Sequence, residues 1–396
     1  METTDAFVGL ECVDCETAVA ADTGVQRCPD CGGALDARYD YDAITLERET
    51  LESRPVATMW RYEELLPFAK ETAVTTYEGA TPLVPCPKLA AELGVARVFV
   101  KDEGRNPTGT VADRDQAVAV TAARALGASD VGLATAGDAG QSAAAYAGRA
   151  GLESHVFVPA RSGFSSKAMI NVHGGDMTVV GGRIDEATAA YEEALAEEGW
   201  HDLRAFETPY RHEGRKTLLY EIVEQLEWTV PDAIVTPTGH GTGVVGMAKG
   251  ARELERLGWI DERPALYAAQ AADCAPIAEA FESGATRHDP VEYPDTICGE
   301  IEIPDPTESA LVLEALRESG GGAVATDDPA ILEAAVAVAK GEGLESTPSA
   351  AAAASGAWEL GEQGVFDGDE TVVIVNTAAG TKEADVLRSH LMGQGV

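Results

Sequence analysis

Short apolar runs bounded by charged residues, glycine or proline alternate along this chain with longer, alanine-rich stretches. Arg97-Val98-Phe99-Val100-Lys101 reads as a buried strand. The segments 130–135, 155–158, 177–180, 233–237, 266–270 and 371–375 continue the strand series. Predicted helices fall between them: one from near Asp113 that Gly127 ends, one containing Ala143-Ala144-Ala145-Tyr146-Ala147, and others over 165–172 and 184–198. A further helix carries Val244, Val245, Met247 and Ala248, and Thr347-Pro348-Ser349 opens another. Alternation of this kind predicts an α/β class. At 396 residues the chain has room for two or three domains and a sizeable core.

No run of about 18 apolar residues occurs, so no membrane span is expected. The N-terminus has no basic region followed by an apolar stretch, so a cytoplasmic protein is expected rather than a secreted one. Formal net charge is -38, from 67 acidic and 29 basic residues. The acid is spread along the chain, as in Glu192-Glu193-Ala194-Leu195-Ala196-Glu197-Glu198. That distribution suits a solvated surface tuned for high salt, where repulsion is screened, better than a docking face for a basic partner. There is no basic stripe of the kind nucleic acid requires.

Cys12 and Cys15 form one C-x2-C pair, and Cys28 and Cys31 form a second after a 12-residue spacer. Each pair can sit on a tight knuckle and offer two thiolates to one tetrahedral ion, and four cysteines close the site, so structural zinc is expected. Two disulfides or four free thiols are the alternatives, and a cytosolic setting opposes the disulfides. Cys86, Cys274 and Cys298 are isolated and read as small core residues.

Four loops carry candidate chemistry. Thr135-Ala136-Gly137-Asp138-Ala139-Gly140 opens a helix, and Thr238-Gly239-His240-Gly241-Thr242-Gly243 follows a strand and opens another. Glycines in the second of these let backbone amides approach a phosphate, with the helix start adding a favourable dipole, and the helix N-terminus opened by the first suits an anion. Gly241 to Gly246 also spells G-x-G-x-x-G, the dinucleotide fingerprint. That rival needs an acidic residue at the end of the next strand, where Gln270 and Ala271 stand instead. The third loop is Asn376-Thr377-Ala378-Ala379-Gly380-Thr381-Lys382, and the fourth is Asn106-Pro107-Thr108-Gly109-Thr110-Val111-Ala112-Asp113-Arg114.

The fourth loop resembles the Asn-Pro-Thr-Gly-Ser-Phe-Lys-Asp-Arg motif of threonine synthases, fold type II enzymes that use pyridoxal 5'-phosphate (PLP). Asn106, Pro107, Thr108, Gly109, Asp113 and Arg114 match, and Thr110 is a conservative change. The resemblance places Ala112 where the family has the lysine that holds PLP as a Schiff base and shuttles protons, and alanine has no nitrogen for either task. It makes Gly239, His240, Gly241, Thr242 and Gly243 the counterpart of the PLP phosphate loop, and Thr377 the counterpart of the threonine that meets the ring nitrogen. Asp138 stands where the family has an asparagine on the cofactor's ring oxygen. An ionised aspartate can accept but not donate there. Ala378 stands in place of a glycine. Similar cysteine ribbons precede the catalytic domain in archaeal-type relatives, the segment 60–67 is similar to their N-terminal arm, and Pro209 to Thr217 is close to a family segment, with Glu213 and Lys216 expected near the domain interface.

The resemblance therefore implies two doubly wound domains around a cleft. Residues 1–45 would form the zinc ribbon and lead-in, residues 46–117 with 207–396 the larger cofactor domain, and residues 118–206 a smaller domain that closes over substrate. PLP would be held without a covalent bond, or not held. The partners expected are a small amino-acid or phosphate ligand and, as in relatives, a second copy of the chain. Three functions follow: a threonine synthase-like scaffold impaired by the loss of its lysine; an active enzyme converting O-phospho-L-homoserine and water to L-threonine and phosphate with another amine, Lys101 or Lys216; or a non-catalytic partner subunit.

Overall fold

The computed structural model describes residues 1–393. Its strands are β1 (Phe7–Cys12), β2 (Ala18–Val19), β3 (Leu35–Tyr39), β4 (Leu83–Pro85), β5 (Arg97–Asp102), β6 (Asp130–Ala134), β7 (Glu153–Pro159), β8 (Asp176–Val180), β9 (His201–Asp202), β10 (Ala233–Pro237), β11 (Ala265–Ala271), β12 (Gly322–Thr326) and β13 (Thr371–Asn376). They form three sheets, in the orders β2-β1-β3, β12-β11-β10-β13-β5-β4 and β8-β7-β6-β9. The first is antiparallel. The third is parallel, and the second is parallel apart from its edge strand β4.

Strand β13 is buried at all six positions. It lies between β10 and β5, with helices covering both faces of the sheet, and so reads in sequence as an unbroken apolar run. The edge strand β8 has no fully buried residue. Helix Pro348–Glu362 has Pro348 in its first turn, and the Thr347 hydroxyl accepts from the Ala350 N–H at 3.2 Å to cap it. Helices Ala112–Ala125 and Arg211–Gln225 cross so closely that a Cβ on Gly214 would lie 2.0 Å from the Arg114 carbonyl oxygen, which leaves room only for glycine.

The stretch from residue 34 to about 75, mixed and charged in composition, is ordered. Leu35–Tyr39 completes the N-terminal sheet, and Trp60, Tyr62, Leu66 and Phe68 are buried. Apolar residues of that sheet share one core with the helices around the four-stranded sheet, whereas two other cores flank the six-stranded one. No helix among the described residues is long and apolar enough to cross a membrane.

Candidate functional site

The loops that follow β5, β6, β10 and β13 converge on a cleft of about 630 Å³. Clefts outside the carboxyl ends of parallel strands are where α/β folds place ligands. Ala112, Asp138, Gly239, His240, Gly241, Thr242, Gly243 and Thr377, all singled out in the sequence, line it together.

Backbone pairing fixes Ala112 beside Thr377. Val111 N–H donates to the Thr377 carbonyl at 2.8 Å, Ala379 N–H donates to the Gly109 carbonyl at 3.0 Å, and Thr110 bridges Ala378. Ala112 begins helix Ala112–Ala125 and is 4% exposed. Asp113 turns away from the cleft. Its carboxylate accepts from Thr108 N–H at 2.7 Å, Thr108 Oγ1 at 2.6 Å and Ser142 Oγ at 2.6 Å, so it ties the loop to helix Asp138–Ala150. Burial lifts its carboxyl to about 6.

Arg114 is wholly buried. Its guanidinium spans Glu103 (2.7 and 2.8 Å) and Glu221 (2.8 and 2.7 Å), and Lys101 reaches Glu221 at 2.7 Å. Lys101 donates its other bonds to Thr81 O and Gln225, while Lys216 is paired with Glu213 at 2.7 Å and Glu253 at 3.0 Å. Both lysines are fully buried in ion-pair networks away from the cleft wall. Glu213 and Lys216 also meet the N-terminal sheet, because Tyr39 donates to Glu213.

One end of the cleft combines a glycine loop and a helix start with arginines that are themselves paired to carboxylates. Gly241 takes φ 87° and opens helix Thr242–Arg256, so loop amides and the helix start face inward. Arg204, Arg211 and Arg215 stand around this loop. Asp115 accepts from Arg211 at 3.1 Å and from Arg215, and Arg204 is held by Asp202 at 2.8 Å and Glu192 at 2.7 Å. The Arg211 Nε is buried without a partner. Burial, and then the charges of Arg211 and Arg204, lower the His240 imidazole to about 4, so it is neutral at pH 7. Gly246, the last glycine of the rival dinucleotide motif, serves packing: a Cβ there would meet His212 O at 2.9 Å. Gln270, where that motif needs an acid, donates to Thr238 O at 3.1 Å and accepts from the Ile277 and Ala278 N–H groups.

The other end is acidic. The Asp138 N–H, at the start of its helix, donates to the Glu300 carboxylate at 3.0 and 3.2 Å. The Asp138 carboxylate accepts from Ser166 Oγ at 3.0 Å and pairs with Lys382 Nζ at 3.1 Å. Lys382 also donates to Gln141 Oε1 at 2.6 Å and Thr108 O at 3.2 Å. Burial, and then the Asp138 and Glu383 carboxylates, hold Glu300 well above the usual carboxyl range. Burial, Asp138 and Asp385 lift Glu383 to about 7.

Sequence reasoning did not mark Glu300, Arg204 or Asp115. Arg211 and Arg215 lay inside a segment already singled out, but Glu300 sits in the irregular stretch before helix Ser309–Glu318, where no periodicity reports what a side chain faces.

A family profile described as "Pyridoxal-phosphate dependent enzyme" matches residues 74–378. The threonine synthase of Methanosarcina acetivorans is 37% identical over 369 residues, covering 93% of this chain and 90% of that protein. That of Methanocaldococcus jannaschii is 36% identical over 378 residues, covering 94% and 93%. Among solved structures, maize serine racemase superposes with a TM-score of 0.68 at 18% identity, covering 80% of this chain and 94% of that one. Threonine deaminase isoform 2 of Solanum lycopersicum gives 0.67 at 18% identity, covering 88% and 90%. These two establish the likeness of fold alone. The chain belongs to the pyridoxal-phosphate dependent enzyme family and is threonine synthase-like within it.

Proposed function

We propose that this chain keeps the phosphate-binding half of the family's cofactor cleft and has lost the covalent half, and is catalytically impaired as a result. The observation that carries the reading is Ala112 in the cleft wall: none of the chain's eight lysines is among the described cleft-lining residues, and Lys382, which reaches Asp138 from beside the cleft, is held by Asp138, Gln141 and Thr108 O. When bound, PLP supplies an electron sink. The glycine loop with its helix start suits the phosphate, and Thr377 suits the ring nitrogen. The opposite end does not suit the aldehyde: Ala112 has no amine, and Asp138 and Glu300 present carboxylates. A positioned proton-transfer group is worth about 100- to 10,000-fold in rate, and this chain has no such group at position 112. An active enzyme using Lys101 or Lys216 is disfavoured by the buried ion pairs that hold both ammonium groups.

The test compares wild type with Ala112→Lys, each incubated with PLP in concentrated KCl, reduced with borohydride and mapped by mass spectrometry. The variant is expected to carry PLP on residue 112 and wild type to bind PLP without a specific lysine adduct. A variant that binds PLP but stays unlabelled at 112 would sink the pocket assignment. A single specific adduct on another lysine in wild type would restore the enzyme reading.

We also propose that Cys12, Cys15, Cys28 and Cys31 hold a structural zinc ion. All four sulfurs lie within 4.8 Å of one another, and the pairs Cys12–Cys31, Cys15–Cys31 and Cys15–Cys28 are 3.4 to 3.6 Å apart. That is near the roughly 3.8 Å edge of a tetrahedron with 2.3 Å zinc–sulfur bonds. All four are free thiols.

A further inference from the structure

The acid end of the cleft crowds three carboxyl groups about one ammonium, so Glu300 and Glu383 hold their protons more tightly than usual, and a further cation placed there would favour their ionised forms. Asp138, Glu300 and Glu383 gather around one ammonium, that of Lys382, whose bonds go to Asp138, Gln141 and Thr108 O. The Glu383 Oε2 is buried with no hydrogen-bond partner. At the opposite end, the glycine loop and the unpartnered Arg211 Nε ask for an anion. The two ends are close. The Glu300 carbonyl lies 3.5 Å from where a Cβ on Gly239 would sit, while its carboxylate reaches the Asp138 N–H. The length of one residue thus separates the phosphate loop from the acid cluster, a span that a small molecule can bridge.

We propose that the cleft selects a phosphate monoester that bears a primary ammonium and no carboxylate, with Glu300 as the specificity-determining residue. This rests on reading the glycine loop as a phosphate site. An incoming carboxylate would have to displace Glu300 from the Asp138 amide and then face Asp138 itself. Glu300 therefore acts as a built-in carboxylate, and a Cβ on Gly137 would come within 2.6 Å of its Oε1, which shows how tightly it is seated. An aldehyde offers these carboxylates only another acceptor, whereas an ammonium offers three donors and a positive charge. The chain's departures from the family pattern at 112 and 138 become consistent on this view. Removing the lysine removes a competing cation, and aspartate in place of asparagine adds a counter-charge.

The full-length protein, in concentrated KCl, is titrated with pyridoxamine 5'-phosphate and with pyridoxine 5'-phosphate, which differ in an ammonium against a neutral hydroxyl. Binding is read by calorimetry, with inorganic phosphate as competitor. The amine is expected to bind about tenfold or more tighter, the scale of a charged hydrogen bond in a partly buried site. Glu300→Gln, which keeps the shape and removes the carboxyl that an ammonium would ionise, is expected to reduce that preference to about threefold or less, and Asp138→Asn serves as a second variant in case the first is unstable. Equal or weaker binding of the amine, or a preference unchanged in both variants, overturns the proposal and leaves the phosphate site standing. Failure of wild type to bind either compound, or binding that phosphate does not compete with, overturns the phosphate reading and the proposal together.

Discussion

His240 stands in the glycine loop with its Nδ1 buried and without a partner, and with Arg211 and Arg204 close enough to oppose a proton. Its folded-state value of about 4 lies below the ordinary 6.5. The unfolded chain therefore takes up a proton as pH falls through 6.5, while the folded chain does so only near 4. Its contribution to stability is complete above the unfolded value and is lost as pH falls through that window. Denaturant midpoints measured from pH 7 to pH 4 should decline, and His240→Asn should flatten part of the decline. A variant profile parallel to wild type would show that the histidine is not held neutral. The same residue marks what sequence could and could not deliver. Its loop was legible because glycines after an apolar run and before a helix have few other uses. The burial that chiefly keeps it neutral, and the approach of Arg211 and Arg204 that adds to it, were not, because no local pattern records which side chains close over a loop.

The Asp113-Arg114 pair matched a catalytic motif, yet in the fold it joins elements together. Arg114 connects helix Ala112–Ala125 to Glu103 beyond β5 and to Glu221 on helix Arg211–Gln225, with all of these groups buried. Such a network contributes geometry more dependably than net stability, but removing one partner strands the others. Arg114→Ala is expected to cost about 3–5 kcal/mol, because Glu103 and Glu221 would be left buried with Lys101 as their remaining strong cation. Chemical denaturation would read this directly, and a loss below about 1 kcal/mol would mean that water or relaxation replaces the pair. At this scale the alternation of strands and helices was readable because buried parallel strands are continuous apolar runs, as in β10 and β13. The N-terminal sheet was not, since its short, mixed strands have no comparable period. Nor was the strand order, which places β13 between β10 and β5 although it comes last in the chain.

At the scale of the molecule, the N-terminal sheet is fastened to the rest of the chain by charge. Lys249 bridges Asp36 at 2.6 Å and Glu213 at 2.5 Å, His212 meets Asp36 at 2.7 Å, and Arg27 reaches Glu308 at 2.7 Å. Asp36, His212 and Glu213 lie close enough together to resemble a metal site, but the Lys249 ammonium already occupies their shared space. The cysteine cluster is different: four sulfurs converge within 4.8 Å of one another. A sheet whose strands are as short as Ala18–Val19 has little apolar area of its own beyond the core it shares, so, if the proposed zinc is held, the ion and the Lys249 bridge are expected to add to its order. Metal analysis of the folded protein should find about one zinc per chain. Stripping it with a chelator should lower the thermal midpoint and loosen β1–β3 first, seen as faster amide exchange there than in β10 or β13. Since Asp36 and Tyr39 hold Lys249 and Glu213, exchange should also quicken in helices Arg211–Gln225 and Thr242–Arg256, which carry the arginines and the glycine loop of the cleft. Folded protein with less than a tenth of an equivalent of zinc would remove the metal, and loosening confined to β1–β3 would show that the ribbon does not support the cleft.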